Sequence, residues 1–327
     1  MAVFTEVSGA QLEHWLGRYA LGPVSEFRGI PSGIENSNFF VSTSDGAWVL
    51  TLFERLSAQQ LPYYLELMRH LAVRGVPCPA PLADQEGRLF SMLNGKPAAL
   101  VTRLPGRSIT EPQPDHCALI GTALARMHLA GQDFALQQPN LRGLAWWQQT
   151  VPGLLQFLAA EPAAMLHDEM AQQSALLPAV QASLPAGPVH ADLFRDNALF
   201  ESSLQGDTLG GFIDFYFAGN DSWLFDVAVC LNDWCIDHAD GQLRAAQTCA
   251  LLEAYAAVRP FTTAELQGWP LVLRAAALRF WVSRLYDFHQ PRRAAMLTPH
   301  DPTHFERILR LRRAAFPALP HPFLPES

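Results

Sequence analysis

The run His190-Ala191-Asp192-Leu193-Phe194-Arg195-Asp196-Asn197, with Ile213-Asp214-Phe215 further on, concentrates more chemistry than any other part of this 327-residue chain. An Asp followed on a short loop by an Asn, with a second Asp at a later strand end, suits phosphoryl transfer to an alcohol. The hydroxyl needs a carboxylate positioned to accept its proton. The polyphosphate donor needs a hard divalent cation held by oxygen ligands. A tight loop turns the first Asp toward the hydroxyl and the Asn side-chain oxygen toward the metal, and the second Asp completes the metal site. Asp192 is therefore the candidate base, and Asn197 and Asp214 the candidate metal ligands. Each has an ordinary alternative: Asp196-Asn197 alone is a turn pair bonded to its own backbone, and His190 alone is a structural histidine. The conjunction carries the reading. A transition-metal site on His190 and Asp192 would need further ligands at similar density, and the other histidines are scattered.

Such a loop must be held by a scaffold. Residues 5–21 read as a helix, with Ser8 and Gln11 at capping-box spacing and Leu12, Trp15, Leu16 and Tyr19 at helical period. Strand patterns follow at Glu26–Ile30, Asn38–Thr43 and Trp48–Phe53, with a hairpin signal at Asp45-Gly46. A helix is expected over Pro62–Arg74, stopped by Gly75, then strands Leu89–Leu93 and Ala98–Arg103 around Asn94-Gly95. Leu104-Pro105-Gly106 reads as a hinge. Beyond it the pattern is mainly helical: Asp115–Ala130 with Asp115 as N-cap, then residues 145–160, 165–183, 223–238, 241–258 and 263–288, the last broken or kinked at Pro270. Val189–Phe200 and Gly211–Phe215 are short strand-and-loop pieces. The expectation is an α+β chain of two lobes, residues 1–104 and 105–327.

Composition narrows the function classes. Charged residues make up 17% and hydrophobic ones 49%, so extensive disorder is not expected. The net charge is −8 and no basic run occurs, which argues against nucleic acid as a partner. The five cysteines (Cys78, Cys117, Cys230, Cys235 and Cys249) form no CxxC pair and read as buried free thiols. No secretory signal pattern or membrane-length apolar run is visible, giving a soluble cytoplasmic protein as the expectation. A homo-oligomer is compatible with the sequence.

The pattern resembles the kinases that include the aminoglycoside phosphotransferases and choline kinases, and within them the bacterial homoserine kinases of the protein-kinase-like fold. The residues that carry this resemblance are Gly33 to Phe39, Val49 to Glu54, His190 to Asn197, Ile213 to Ala218, Cys230 to Cys235, Leu278 to Trp281 and Ser283 to Asp287. It implies a small lobe with a five-stranded antiparallel sheet and one packed helix, a larger helical lobe, ATP and Mg²⁺ as cofactors, and L-homoserine as the small-molecule acceptor. It places Ser32, Gly33, Asn36 and Ser37 over the phosphates, where N–H and hydroxyl donors act on an anion. It adds Thr51, Thr102 and Leu104 as nucleotide contacts. Kinases of this fold place a lysine on the third strand. Here Thr51 stands there, Lys96 is the only lysine, and Glu66 occupies the position of the lysine's helix partner. Arg195 is the candidate for the γ-phosphate.

For a homoserine acceptor, Arg279 or Arg284 would take the carboxylate through a bidentate pair. Asp233, with Asn232 beside it, would take the ammonium. His190 and Asp226 would support the catalytic loop, and His128 reads as a packed core histidine. The alternatives are the same chemistry on another alcohol, such as choline or an amino sugar, or nucleotide binding without catalysis.

Overall fold

The structure is a computed structural model that describes residues 4–31, 36–290 and 300–320. Ser32 and Gly33 lie outside the described residues. The chain divides into two compact units, Met1–Pro105 and Gly106–Ser327.

The first unit is a sheet with helices. Helix α1 (Gly9–Leu16) starts at Ser8, whose hydroxyl accepts the Gln11 N–H while the Gln11 side chain accepts the Ser8 N–H. Strands β1 (Val24–Gly29), β2 (Ser37–Thr43), β3 (Gly46–Leu52), β4 (Ser91–Leu93) and β5 (Lys96–Thr102) form one antiparallel sheet of five in the order β1-β2-β3-β5-β4. Helix α2 (Leu61–Val73) lies between β3 and β4 in sequence.

Alternation sets the faces of the sheet. Phe39, Val41, Leu50, Leu52, Ala98 and Leu100 point to one side and are buried with Leu12, Trp15 and Leu16 of α1 and with Tyr19 just beyond it. Thr51, paired across the ladders with Asn38 and Ala99, falls on the other side. The turn at Asn94-Gly95 is the expected two-residue loop, closed by the Leu93–Lys96 pair, with φ of 49° and 78°. The other hairpin differs by one residue. Thr43 pairs with Gly46, so Ser44 and Asp45 form the loop.

The second unit is mainly helical: α3 (Pro114–Ala130), α4 (Leu144–Leu154), α5 (Ala160–Gln181), α6 (Trp223–Trp234), α7 (Ala245–Val258), α8 (Thr263–His289) and α9 (Thr303–Ala314). Two small antiparallel pairs complete it, β6 (Ala186–Val189) with β9 (Gly219–Ser222) and β7 (Ala198–Ser203) with β8 (Gly206–Phe212). Gly121 lets α3 approach α7 closely, since a Cβ there would sit 2.2 Å from the Leu251 carbonyl oxygen.

Three expectations change. The N-cap of α3 is Gln113, whose N–H donates to His116 Nδ1, and Asp115 lies inside the first turn. Helix α8 is not broken at Pro270. The proline removes one rung of the ladder, a cost of about 3 kcal/mol or more in an exposed helix. Burial of Trp269, Leu271, Val272 and Leu273 around it offsets this. All five cysteines are free, but Cys249 is exposed. No described helix is long and apolar enough to cross a membrane.

Candidate active site

The catalytic loop leaves β6 and is fixed from below by Asp226, in the first turn of α6. Both carboxylate oxygens of Asp226 accept backbone N–H groups, from His190 at 2.7 Å and from Ala191 at 2.8 Å. The position near a helix N-terminus also favours an anion. Ala191 has φ of +62°, a left-handed conformation that strains a residue with a Cβ. Strain of this kind costs about 1–3 kcal/mol and persists only where surrounding bonds impose it. Here those bonds are the Asp226 clamp and the His190 Nε2–H, which donates to the Ile213 carbonyl at 2.8 Å. Burial alone would raise the Asp226 pKa, but the hydrogen bonds from the His128 side chain and the His190 backbone hold the carboxyl below its ordinary range.

The clamp continues inward through His128. Asp226 is acceptor-only when ionised, so His128 Nε2 must donate to it, across 3.2 Å. His128 Nδ1 then accepts from the Tyr255 hydroxyl at 2.8 Å. Tyr255 accepts from Arg259 at 3.2 Å, and Arg259 pairs with Glu265 at 2.9 Å. Every proton in this buried chain has a single consistent direction. Burial pushes the pKa of His128 and of His190 below the ordinary histidine value.

Above the clamp, Asn197 donates its side-chain N–H to the Asp192 carbonyl at 2.8 Å and lies 3.4 Å from the Asp192 carboxylate. Its side-chain oxygen is therefore not the atom that closes the loop. The Ile213 N–H donates to the Asn197 carbonyl at 2.9 Å, bringing Asp214 next in chain to the same place. Asp214 is exposed and left-handed, with φ of +61°. The second strained residue of the loop region is thus a carboxylate turned out of the fold. Among the described residues no group of three or more His, Cys, Asp or Glu side chains could hold a metal. An amide oxygen and a carboxylate are instead the small, hard set with which a protein binds Mg²⁺ together with phosphate oxygens.

The acceptor-side candidates divide sharply. Asn232 is wholly buried: its NH₂ donates to the Leu273 carbonyl at 3.1 Å and its oxygen accepts from Arg312 at 2.9 Å. That takes it out of the substrate set. Asp233 accepts from both the backbone N–H and the Nε of Arg195, at 2.9 and 3.2 Å. The Arg195 guanidinium also donates to the Thr110 carbonyl and meets His238 at 3.2 Å. Arg195 and Asp233 thus brace the loop against the end of α6, whereas the expectation set one at the γ-phosphate and the other at the ammonium. Arg279 is buried on α8 with its guanidinium 3.7 Å from the Asp192 carboxylate. Arg284 lies on the same helix, its guanidinium 4.5 Å from the Phe305 ring centroid, with no ion pair to any described residue.

In the first unit the candidate donors are largely occupied. The Ser37 hydroxyl is buried, donates to Glu54 at 2.7 Å and accepts the backbone N–H groups of Phe4 and Thr5. It closes the base of the loop rather than presenting a hydroxyl at its surface. Thr51 donates to Asn38 at 2.8 Å, and Thr102 accepts the Ala80 N–H at 2.8 Å. Asn36 and Leu104 are half-buried. Lys96 pairs with Glu54 at 3.1 Å, and its place in register with Leu52-paired Ala98 puts it on the α1 side of the sheet, opposite Thr51. It does not replace the strand lysine. Glu66 pairs with Arg69 one turn along α2.

A candidate proton acceptor, a candidate pair of hard oxygen donors and a clamped loop on an α+β scaffold are the parts of a phosphotransferase with an alcohol acceptor. The comparisons agree. The Phosphotransferase enzyme family matches residues 26–261, and the chain belongs to it. It is 58% identical to a homoserine kinase of Burkholderia ambifaria over 325 residues, covering 98% of each chain. It is 59% identical to one of Paraburkholderia phymatum over 319 residues, covering 96% of this chain and 99% of the other. Among solved structures it resembles amicoumacin kinase hAmiN in complex with AMP-PNP, Ca²⁺ and Ami, with a TM-score of 0.69 at 16% identity, covering 97% and 96% of the two chains. It also resembles a spectinomycin phosphotransferase in complex with ADP, with a TM-score of 0.64 at 13% identity, covering 95% and 99%. At such identities these structures speak to the fold.

Three features of the site were not read from sequence. The His128–Tyr255–Arg259–Glu265 chain joins residues far apart in the chain. Helix α9 supplies Phe305 and Arg312. Asp196, an apparent turn residue, stands beside the acceptor-side charges. Only the last had a visible signal, its place between Arg195 and Asn197.

Proposed function

We propose that this chain is an ATP-dependent homoserine kinase, which transfers the γ-phosphoryl group to the side-chain hydroxyl of L-homoserine and gives O-phospho-L-homoserine. The observation that carries the reading is the near full-length similarity to homoserine kinases, with the whole of the clamped catalytic loop present. The product belongs to a biosynthetic route toward threonine.

Asp192 orients the acceptor hydroxyl and takes its proton as the O–P bond forms, a role worth roughly 10²–10⁴ in rate. Arg279 lies 3.7 Å from one carboxylate oxygen and positions it. Asn197 steadies the same residue through its carbonyl. Asn197 and Asp214 would hold Mg²⁺, which neutralises charge on the phosphates when bound. Asn36, Thr51, Thr102 and Leu104 are the described residues that would contact the nucleotide. Most of the barrier reduction comes from positioning and preorganised charge rather than from the base alone.

The acceptor is tested by ADP release with homoserine, choline, serine and kanamycin in parallel. The expected result is homoserine-dependent release at least about tenfold above the others in kcat/KM, a difference of about 1.4 kcal/mol. Comparable or higher release with choline or kanamycin would replace homoserine as the acceptor. Mg·ATP binding without release on any acceptor would support a non-catalytic role.

A further inference from the structure

The catalytic loop lies along helix α6, and one face of that helix grips it from end to end. Asp226, Cys230, Asp233 and Trp234 stand at i, i+4, i+7 and i+8, the spacing that puts side chains on one side of a helix. Asp226 takes the start of the loop through the N–H groups of His190 and Ala191. Asp233 takes its far end through the N–H of Arg195. Between them, Trp234 Nε1–H donates to the Leu193 carbonyl at 3.0 Å. The Cys230 thiol donates to the same oxygen across 3.6 Å.

This middle grip falls next to the base. Asp192 stands between Ala191, tied to α6 through its N–H, and Leu193, tied to α6 through its carbonyl. A carbonyl oxygen has two lone pairs, and the indole and the thiol occupy both. Leu193, Cys230 and Trp234 are all buried, so a lost donor leaves the oxygen without its partner in a dry place. The Trp234 ring is itself fixed by Phe200 of β7, the strand that begins just after Asn197, with ring centroids 5.9 Å apart. Ala191 is held in a strained conformation. Freed at Leu193, the chain could relax that strain by rotating about Asp192, which would turn its carboxylate.

We propose that Trp234 is a positioning residue for phosphoryl transfer: its indole N–H, seconded by the Cys230 thiol, holds the Leu193 carbonyl and so fixes where the Asp192 carboxylate meets the acceptor hydroxyl. This rests on the kinase reading, with Asp192 as the base, and adds the residues that hold that base in line. Trp234 and Cys230 are buried in α6 and act through the loop, not on a ligand. Their effect therefore falls on turnover rather than on binding. A misplacement of about 1 Å at a reacting group is enough to cost about 10²-fold in rate.

The test uses the full-length enzyme with Mg·ATP and homoserine. Trp234→Phe keeps an aromatic ring and removes the donor. It is expected to lower kcat by roughly 10–100-fold, with KM for homoserine and for ATP each within about threefold of wild type. The deciding readout is a double-mutant cycle with Asp192→Asn. If Trp234 acts through Asp192, adding Trp234→Phe to Asp192→Asn changes kcat by no more than about twofold. An equal loss in both backgrounds, the mark of a general packing role, overturns the proposal, and so does a wild-type kcat in Trp234→Phe. Cys230→Ala removes the weaker donor and is expected to lower kcat less, and it takes the place of Trp234→Phe in the cycle if that variant does not fold. Wild-type enzyme that releases ADP with another alcohol in place of homoserine replaces the acceptor alone, and the cycle run on that alcohol still decides the role of Trp234. Wild-type enzyme that releases none with any acceptor overturns the functional reading and the proposal with it.

Discussion

The two ends of the catalytic loop are built on opposite principles. At the end that holds the base, the carboxylate that fixes the loop is paired within the fold. Asp226 takes two backbone N–H groups and a histidine, and the chain runs on through His128, Tyr255, Arg259 and Glu265. At the acceptor end, Arg284 lies half-buried with its guanidinium 4.5 Å from the Phe305 ring centroid and has no ion pair among the described residues. The first end stores its strain at Ala191 and Asp214 in a preorganised frame. The second leaves its electrostatics to be completed. Catalysis needs the reacting groups fixed before the substrate arrives, whereas specificity is sharpest where the substrate itself supplies the missing partner.

The largest effect should follow from breaking the first end. Asp226→Ala removes the acceptor of two buried N–H groups and leaves His128 without its anion. Loss of one partner from a buried network of this kind costs about 3–5 kcal/mol. Denaturant unfolding should show that loss, and turnover should fall even at temperatures where the variant is folded. A variant as stable as wild type would show that Ala191 holds its conformation without the clamp.

Arg195→Ala should have a smaller and mixed effect. From sequence this arginine was expected at the γ-phosphate, where its loss would lower turnover far more than melting. The structure instead commits it to Asp233, the Thr110 carbonyl and His238. Its removal leaves the buried Asp233 carboxylate with only a backbone donor, at a cost of about 1–3 kcal/mol. Melting should therefore fall together with turnover. Unchanged melting with a large loss of turnover would return Arg195 to the phosphates.

The smallest effect is a pH slope. His128 and His190 at the fixed end, and His238, His300 and His304 at the acceptor end, all have pKa values pushed down, chiefly by burial. The value for His304 reaches about 4. The unfolded chain protonates these rings near 6.5 and the folded chain does so only at lower pH. Their contribution to stability is complete above about pH 6.5 and is lost as pH falls toward the folded values. Melting temperature should decline steadily from pH 7 to pH 5, and less steeply in His304→Asn. A flat profile would mean that these rings titrate alike in both states.

How much of this was legible follows from how local each feature is. The Ser8–Gln11 capping box, the Asn94-Gly95 turn and the spacing from His190 to Asn197 depend on neighbours in sequence, and they could be read directly. The partners of Arg195, Asn232 and Ser37 lie tens of residues away, so residue type gave a role that geometry reassigned. Helix α9 follows a stretch rich in Pro, Arg and His, and its buried stripe of Phe305, Ile308, Leu309 and Arg312 includes a charge, which hides the apolar period. Pro270 does not break α8 for a related reason, since a helix enclosed by packing tolerates a lost rung that an exposed one does not.

The most direct test of the central claim is the rate of O-phospho-L-homoserine formation from ATP and homoserine, measured by mass spectrometry for the wild type and Asp192→Asn. The wild type should form product in step with ADP. The variant should fold and bind Mg·ATP but lose roughly 10²–10⁴ in kcat, the contribution of a positioned general base. An Asp192→Asn enzyme that keeps wild-type turnover would contradict the account.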